Sequence, residues 1–275
     1  MEDYLRAVIL GLVQALTEFL PISSSGHLLL ASRVLGERAD ALTFDVGLHV
    51  GTLVAVVGYF WRDWADIVTH GVRDIFAHGA RLGRWDSRSR LGVWIVLGTL
   101  PAVIVGALFD NAIEDHLRQA WLVGLLLIVF AGLLEAADRL PGKHDRLEEV
   151  TPRHAIVIGI AQTIALVPGV SRSGATITAA RGLNFDRALA ARFSFLLSAP
   201  AVFGAATLKL SEAATGNEDV SWGPMILGAV VSGLAGAAVI HWLLGYLQMH
   251  GMRPFVWYRI GMGLLVLGIG AVSLL

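Results

Sequence analysis

The chain has 275 residues, 55% of them hydrophobic and 16% charged, with a mean hydropathy of +0.66. Water-soluble globular chains carry about 25% charged residues, so this one has too little charge to coat a water-facing surface and reads as a polytopic membrane protein; its apolar content excludes intrinsic disorder. The 21 Lys and Arg against 22 Asp and Glu give a net charge of −1 and no basic field for nucleic acid, while the lack of cysteine excludes disulfide scaffolds, thiolate metal sites and thiol nucleophiles.

The N-terminus, Met1 to Arg6, lacks the basic segment of a cleaved signal peptide, so the first apolar stretch is expected in the mature protein. Apolar stretches follow in order near 4–20, 42–61, 91–109, 119–138, 154–168, 188–210, 223–247 and 254–275. A span needs about 20 helical residues, and most qualify. Two are cut short, the first by Pro21 and the fifth by Pro168-Gly169. Each is followed by a Ser/Gly-rich turn and a short apolar helix, over 24–35 and 171–183. This pattern predicts re-entrant hairpins, whose irregular backbone must be buried in protein or line a wet cavity.

The two hairpins match each other. A shift of 148 aligns 7–36 with 155–184 at 9 identities in 30 ungapped positions, including Gln14 with Gln162, Ser23 with Ser171, Ser25 with Ser173, Gly26 with Gly174 and Arg33 with Arg181. The expected fold is all-α and polytopic: one membrane domain over 1–275, about ten helical elements, in repeats 1–150 and 151–275. Each repeat has a re-entrant hairpin and three spans, an odd number of crossings that inverts the second copy. Such repeats place a site where the broken helices meet. Loops 62–90 and 139–153 are basic, whereas 110–118 and 211–221 are acidic. The positive-inside rule puts the basic loops in the cytoplasm and both termini outside. The run 70–90 reads as a cytoplasmic amphipathic connector.

The first break reads Gln14-Ala-Leu-Thr-Glu18-Phe-Leu-Pro21-Ile-Ser23-Ser24-Ser25-Gly26-His27. Gln14 and Glu18 share a helix face, and an acid within an apolar run is a functional candidate. Ser23 to Ser25 can cap the next helix. Ser24 and His27, three residues apart, have the spacing of a nucleophile–base pair. In the second break, Pro168-Gly-Val-Ser171-Arg172-Ser173-Gly174-Ala-Thr176, the glycines allow close backbone approach. Arg172 offers a fork for phosphate oxygens, and the helix start adds N–H donors. These make an anion site of Arg172, Ser171, Ser173, Gly174 and Thr176, with Ser23 facing it. Asp45 with His49, Ser194 with Ser198, and Arg33 with Arg181 are secondary candidates read mainly as structural.

Together the motifs Gln14-x3-Glu18-Phe19-Leu20-Pro21-x-Ser23-Ser24-x-Gly26-His27 and Pro168-Gly-x-Ser-Arg-Ser-x-x-Thr176 resemble the undecaprenyl-diphosphatase family, the bacitracin-resistance membrane phosphatases, over essentially the whole chain. The resemblance implies hydrolysis of undecaprenyl diphosphate to undecaprenyl phosphate and inorganic phosphate in the bacterial cytoplasmic (inner) membrane. This recycles the carrier for cell-wall synthesis and confers bacitracin resistance. It also implies a divalent cation, Mg²⁺ or Ca²⁺, and a site open to the outer face. Glu18 is the expected metal ligand; Gln14, where some members have Glu, brings a carbonyl but no charge. The expected catalytic set is Ser24, His27, Glu18 and Arg172, and either Ser24 or His27 can be the attacking group. The expected partners are the diphosphate lipid, bilayer lipid and a second copy in a homodimer, with no nucleic acid. The alternative is a polyprenyl-phosphate transporter or flippase using the same midplane anion site. The acid-phosphatase-like lipid phosphatases are excluded, because their later motif needs a His where this chain has Thr178.

Overall fold

The structure is a computed structural model that describes residues 2–24, 26–28, 41–117, 119–215 and 221–272. Among these are ten α-helices: α1 (Glu2–Phe19), α2 (Ala41–Tyr59), α3 (Trp61–His78), α4 (Ser87–Leu117), α5 (Ala120–Asp138), α6 (Pro152–Ile164), α7 (Arg172–Gly182), α8 (Arg187–Thr215), α9 (Trp222–Met249) and α10 (Arg253–Val272). No β-strand occurs among the described residues. Most of the expected helix at 24–35, together with Ser25 and Arg33, lies outside them. Four helices, α4, α5, α8 and α9, are long and apolar enough to cross a membrane, and a fifth span is reached if α2 and α3, bent by 69°, count as one.

Polarity is arranged inside out relative to a soluble protein. Leu12, Val54, Leu108, Phe203 and Leu234 are exposed on the bundle's outside, while Gln14, Glu18, Gln162 and Arg259 are buried within it. Lipid makes the first arrangement favourable, and the second keeps polar groups among partners. The interior also holds an aromatic contact, Phe19 edge-on to Phe195 with centroids 5.3 Å apart.

Helix ends follow local chemistry. Thr151 caps α6 in a reciprocal box with His154, and Pro152 fills a first-turn position where no N–H is needed. α1 stops at Phe19, two residues before Pro21, which disfavours helical backbone in the residue before it. Gly169 takes φ +94°, and a Cβ there would sit 2.7 Å from the Val123 carbonyl oxygen, so only glycine fits this turn. Pro101 and Pro200 lie inside α4 and α8 without ending them.

The packing is exchanged between the two halves. α1 lies along α9, and α6 lies along α4. Glycines set both crossings. A Cβ on Gly11 would be 2.8 Å from the Gly228 carbonyl oxygen, and one on Gly159 would overlap that of Gly98. α5 and α10 meet at Gly124 and Gly263, each against the other's carbonyl at 3.0 and 2.7 Å. Small residues let backbones approach where apolar burial offers no net gain over lipid. The connector after α3 is fastened by buried Asp74, which accepts from the Asp86 N–H (2.6 Å) and the Ser89 hydroxyl (2.8 Å). Those donors, the backbone one foremost, hold its carboxyl below the usual carboxylate range.

Candidate active site

Two helix breaks meet in the interior. At the first, α1 ends, Leu20–Ile22 turn, and helix resumes at Ser24; at the second, α6 ends and Ser171 caps α7, accepting from the Gly174 N–H at 3.1 Å. Ser23 and Ser171, equivalent under the shift of 148, have φ of 79° and 73°. Left-handed backbone at a non-glycine residue is costly and persists where the surroundings impose it. The breaks are sewn together by Ser173, whose hydroxyl donates to the Leu20 carbonyl at 3.0 Å.

Glu18 is the hub. Arg172 Nη2 donates to its Oε1 at 2.6 Å, and Oε2 accepts from Ser24 Oγ (2.7 Å) and Gln14 Nε2 (3.2 Å). His49 Nε2 lies 3.8 Å from Oε2, while its Nδ1–H is held by the Asp45 carbonyl at 2.8 Å. An ion pair this buried needs its remaining valences satisfied to repay desolvation, and the carboxylate meets that condition. Two atoms around it do not: Gln14 Oε1 and Arg172 Nη1 are buried without a hydrogen-bond partner among the described residues. One spare acceptor and one spare donor flank the same carboxylate, and a ligand carrying both a cation and phosphate oxygens would satisfy both.

His27 stands beside this cluster. Its Nδ1 lies 2.7 Å from the Ser23 carbonyl and its Nε2 2.6 Å from the Tyr258 hydroxyl. The sequence reading pairs Ser24 with His27; the structure gives the Ser24 proton to Glu18 instead and fills both ring nitrogens elsewhere. The expected anion-binding residues also divide. Arg172 keeps a free donor, but Thr176 is fully buried, donating to the Arg172 carbonyl at 2.7 Å and sharing a 2.5 Å hydrogen bond with Ser194. Its hydroxyl holds the start of α7, as Ser171 and Ser173 do with the Gly174 N–H and the Leu20 carbonyl.

Arg181, a secondary candidate, is buried with its guanidinium on the carbonyls of Phe185, Leu140 and Asp138, which fixes the far end of α7. The residue that sequence reasoning missed is Arg259. It is fully buried in α10, and it donates to Pro21 (3.1 Å) at the first break, Gly169 (3.2 Å) and Val170 (2.9 Å) at the second, and Leu127 (3.2 Å). The signal was present: like Glu18, it is a charge within an apolar stretch. Tyr258 beside it carried no such signal.

A helical membrane protein whose two broken helices enclose an acid, a guanidinium, a serine and a histidine is the class that this fold and site define. Residues 7–265 match the family described as bacitracin resistance protein BacA. Undecaprenyl-diphosphatase of Geotalea daltonii is 46% identical over 267 residues, covering 96% of this chain and 97% of that relative. The like-named proteins of Chromohalobacter salexigens (45%; 96% and 98%) and Geobacter sulfurreducens (46%; 94% and 95%) match as fully. The chain belongs to the BacA family.

Proposed function

We propose that this chain hydrolyses undecaprenyl diphosphate to undecaprenyl phosphate and inorganic phosphate in the bacterial cytoplasmic membrane, returning the lipid carrier to cell-wall synthesis and, at high activity, conferring bacitracin resistance. The names of its relatives support this reading. The observation that carries it is the contact between the breaks, where Arg172, 154 residues away in sequence, and Ser24 converge on Glu18.

The incoming diphosphate competes with Glu18 for Arg172, whose fork suits two phosphate oxygens. As the guanidinium turns to phosphate, Glu18 loses its ion pair with the Ser24 O–H already in place. Ser24 Oγ attacks the terminal phosphorus, its proton passes to Glu18, and the P–O bond to the bridging oxygen breaks with that oxygen leaving on undecaprenyl phosphate. His27 Nε2 then takes a proton from a water that attacks the phosphoserine. Phosphate leaves, carrying the imidazolium's proton, and Ser24 recovers its own from Glu18. Arg172 matters most where negative charge on the transferring group is concentrated.

A divalent cation fits the donors present: one Glu18 oxygen, with Oε2 left to take the Ser24 proton, and the spare Gln14 Oε1. Among the described residues, no three His, Cys, Asp or Glu gather into a metal site, so Glu18 and Gln14 would hold Mg²⁺ or Ca²⁺ jointly with the phosphates. Bound there, the ion would neutralise diphosphate charge. The exchanged packing of α1 on α9 and α6 on α4 supports two inverted repeats, 1–150 and 151–275, each with a re-entrant hairpin and three spans. In this topology the basic loops face the cytoplasm, both termini lie outside and the site opens to the outer face.

The test is phosphate release from C55 diphosphate by detergent-solubilised protein, with and without divalent cation, beside Glu18→Ala. Hydrolysis without any membrane potential is expected. No release from wild type would leave only a transport role. Denaturant quenching should trap an adduct that survives acid, phosphoserine at 24; an acid-labile, alkali-stable adduct, phosphohistidine at 27, would make the imidazole the nucleophile.

A further inference from the structure

The mechanism gives no part to the side chain bonded to the His27 Nε2. Tyr258 projects from α10 with its ring nearly parallel to that of His27, 10° between planes and 5.5 Å between centroids, and its hydroxyl 2.6 Å from Nε2. The Ser23 carbonyl on Nδ1 can only accept, so Nδ1 carries the proton and the neutral ring has its lone pair at Nε2. The nitrogen that must do the chemistry is therefore the one that Tyr258 holds. The Ser24 hydroxyl is committed to Glu18, which leaves Tyr258 as the side chain bonded to that lone pair.

The next residue explains how a tyrosine 231 residues from His27 has a fixed position. Arg259 pins α10 to carbonyls of both breaks, at Pro21, Gly169 and Val170. A Cβ on Gly174 would sit 2.6 Å from its Nη1, so α7 also closes on this guanidinium. The left-handed Ser23 sets the other end by aiming its carbonyl at Nδ1.

We propose that Tyr258 is a positioning residue for His27: in the resting site its hydroxyl and the Ser23 carbonyl hold the imidazole at two points, and the attacking water takes over the Nε2 lone pair from the Tyr258 O–H while Nδ1 stays on the Ser23 carbonyl. Misplacing a reacting group by about 1 Å costs up to ~100-fold in rate. The inference rests on the hydrolase reading above.

The experiment uses the full-length chain in detergent. Tyr258→Phe keeps the ring and removes the hydroxyl; because the position is 45% exposed, the change empties no core space. The expected result is a fall in kcat of about tenfold or more with KM within about twofold. A second readout needs no turnover. In ¹⁵N-histidine-labelled protein, the His27 Nε2 resonance should shift toward that of an imidazole lone pair without a donor, while Nδ1 stays protonated. A kcat within about twofold of wild type, a loss expressed in KM alone, or an unmoved Nε2 resonance would overturn the proposal. If wild type itself releases no phosphate, the hydrolase reading has failed, and the resonance still reports whether Tyr258 holds the ring.

Discussion

The two helix breaks share a backbone and divide the chemistry. Ser23 and Ser171 occupy the same left-handed conformation, Gln14 and Gln162 are both buried, and a glycine follows three residues after each serine. At the reactive positions they part. Glu18 corresponds to Leu166, Ser24 to Arg172 and His27 to Ala175. The first break carries acid, hydroxyl and imidazole; the second carries the guanidinium. Gln14 has Glu18 to donate to, whereas neither side-chain atom of Gln162 finds a hydrogen-bond partner among the described residues. A backbone that tolerates one strained turn can be used twice, but an anionic substrate needs cationic and nucleophilic groups on opposite sides, so the side chains must differ.

Removing the charge from the second break should have the largest effect. Arg172→Ala is expected to lower phosphate release by about 100-fold or more; retention of a tenth of wild-type activity would remove Arg172 from the clamp. Glu18→Gln attacks the same contact from the first break and should cost a similar factor. If the two act as a unit, Arg172→Ala adds little in the Glu18→Gln background, and a steady-state double-mutant cycle reads that shortfall.

The shared scaffold can be broken on either side. Gly11→Val and Gly159→Val should each destabilise by about 1–3 kcal/mol through overpacking at the exchanged crossings, with Gly159 the more severe because its backbone contact is closer. Thermal unfolding in detergent checks the ranking. Thr176→Val sharpens the division within the second break. Its hydroxyl serves Ser194 and a backbone carbonyl, so stability should fall by about 1 kcal/mol while kcat changes less than about threefold; a collapse of kcat at unchanged stability would return Thr176 to the phosphate site.

The smallest effect lies away from both breaks. The Asp74 carboxyl is held below its ordinary range, so its contribution is present above the unfolded carboxylate's range and is lost as pH falls through the lower folded value. Protection of the connector amides, measured as exchange relative to the intrinsic rate at each pH, should therefore fall at acid pH in wild type. Asp74→Asn should show low protection already at neutral pH and change little on acidification.

Much of this was legible in the chain. Pro21 and Pro168-Gly169 marked where helices stop, Glu18 stood out because a charge in an apolar run is expensive, and Arg172 because a guanidinium fork in a glycine- and serine-rich turn suits phosphate oxygens. What misled was sequence spacing. Ser24 and His27 are three residues apart and look like a pair, yet Glu18 lies closer to the serine because the chain folds back at Pro21. Thr176 belongs to the same motif as Arg172, yet faces Ser194 on α8. Arg259 was detectable by the rule that found Glu18, but its role was not, since its partners are carbonyls, which every residue carries.

Composition and pattern alone determined a helical membrane protein with two matched interruptions and a small stock of polar groups to place there. Those facts follow from the cost of exposing charge and backbone to lipid, which each segment meets locally. Which carboxylate receives which proton, and that a tyrosine near the C-terminus holds a histidine near the N-terminus, came only from the assembled bundle. Hydrogen bonds are decided by fractions of an ångström between elements far apart in sequence, and no local pattern encodes that distance.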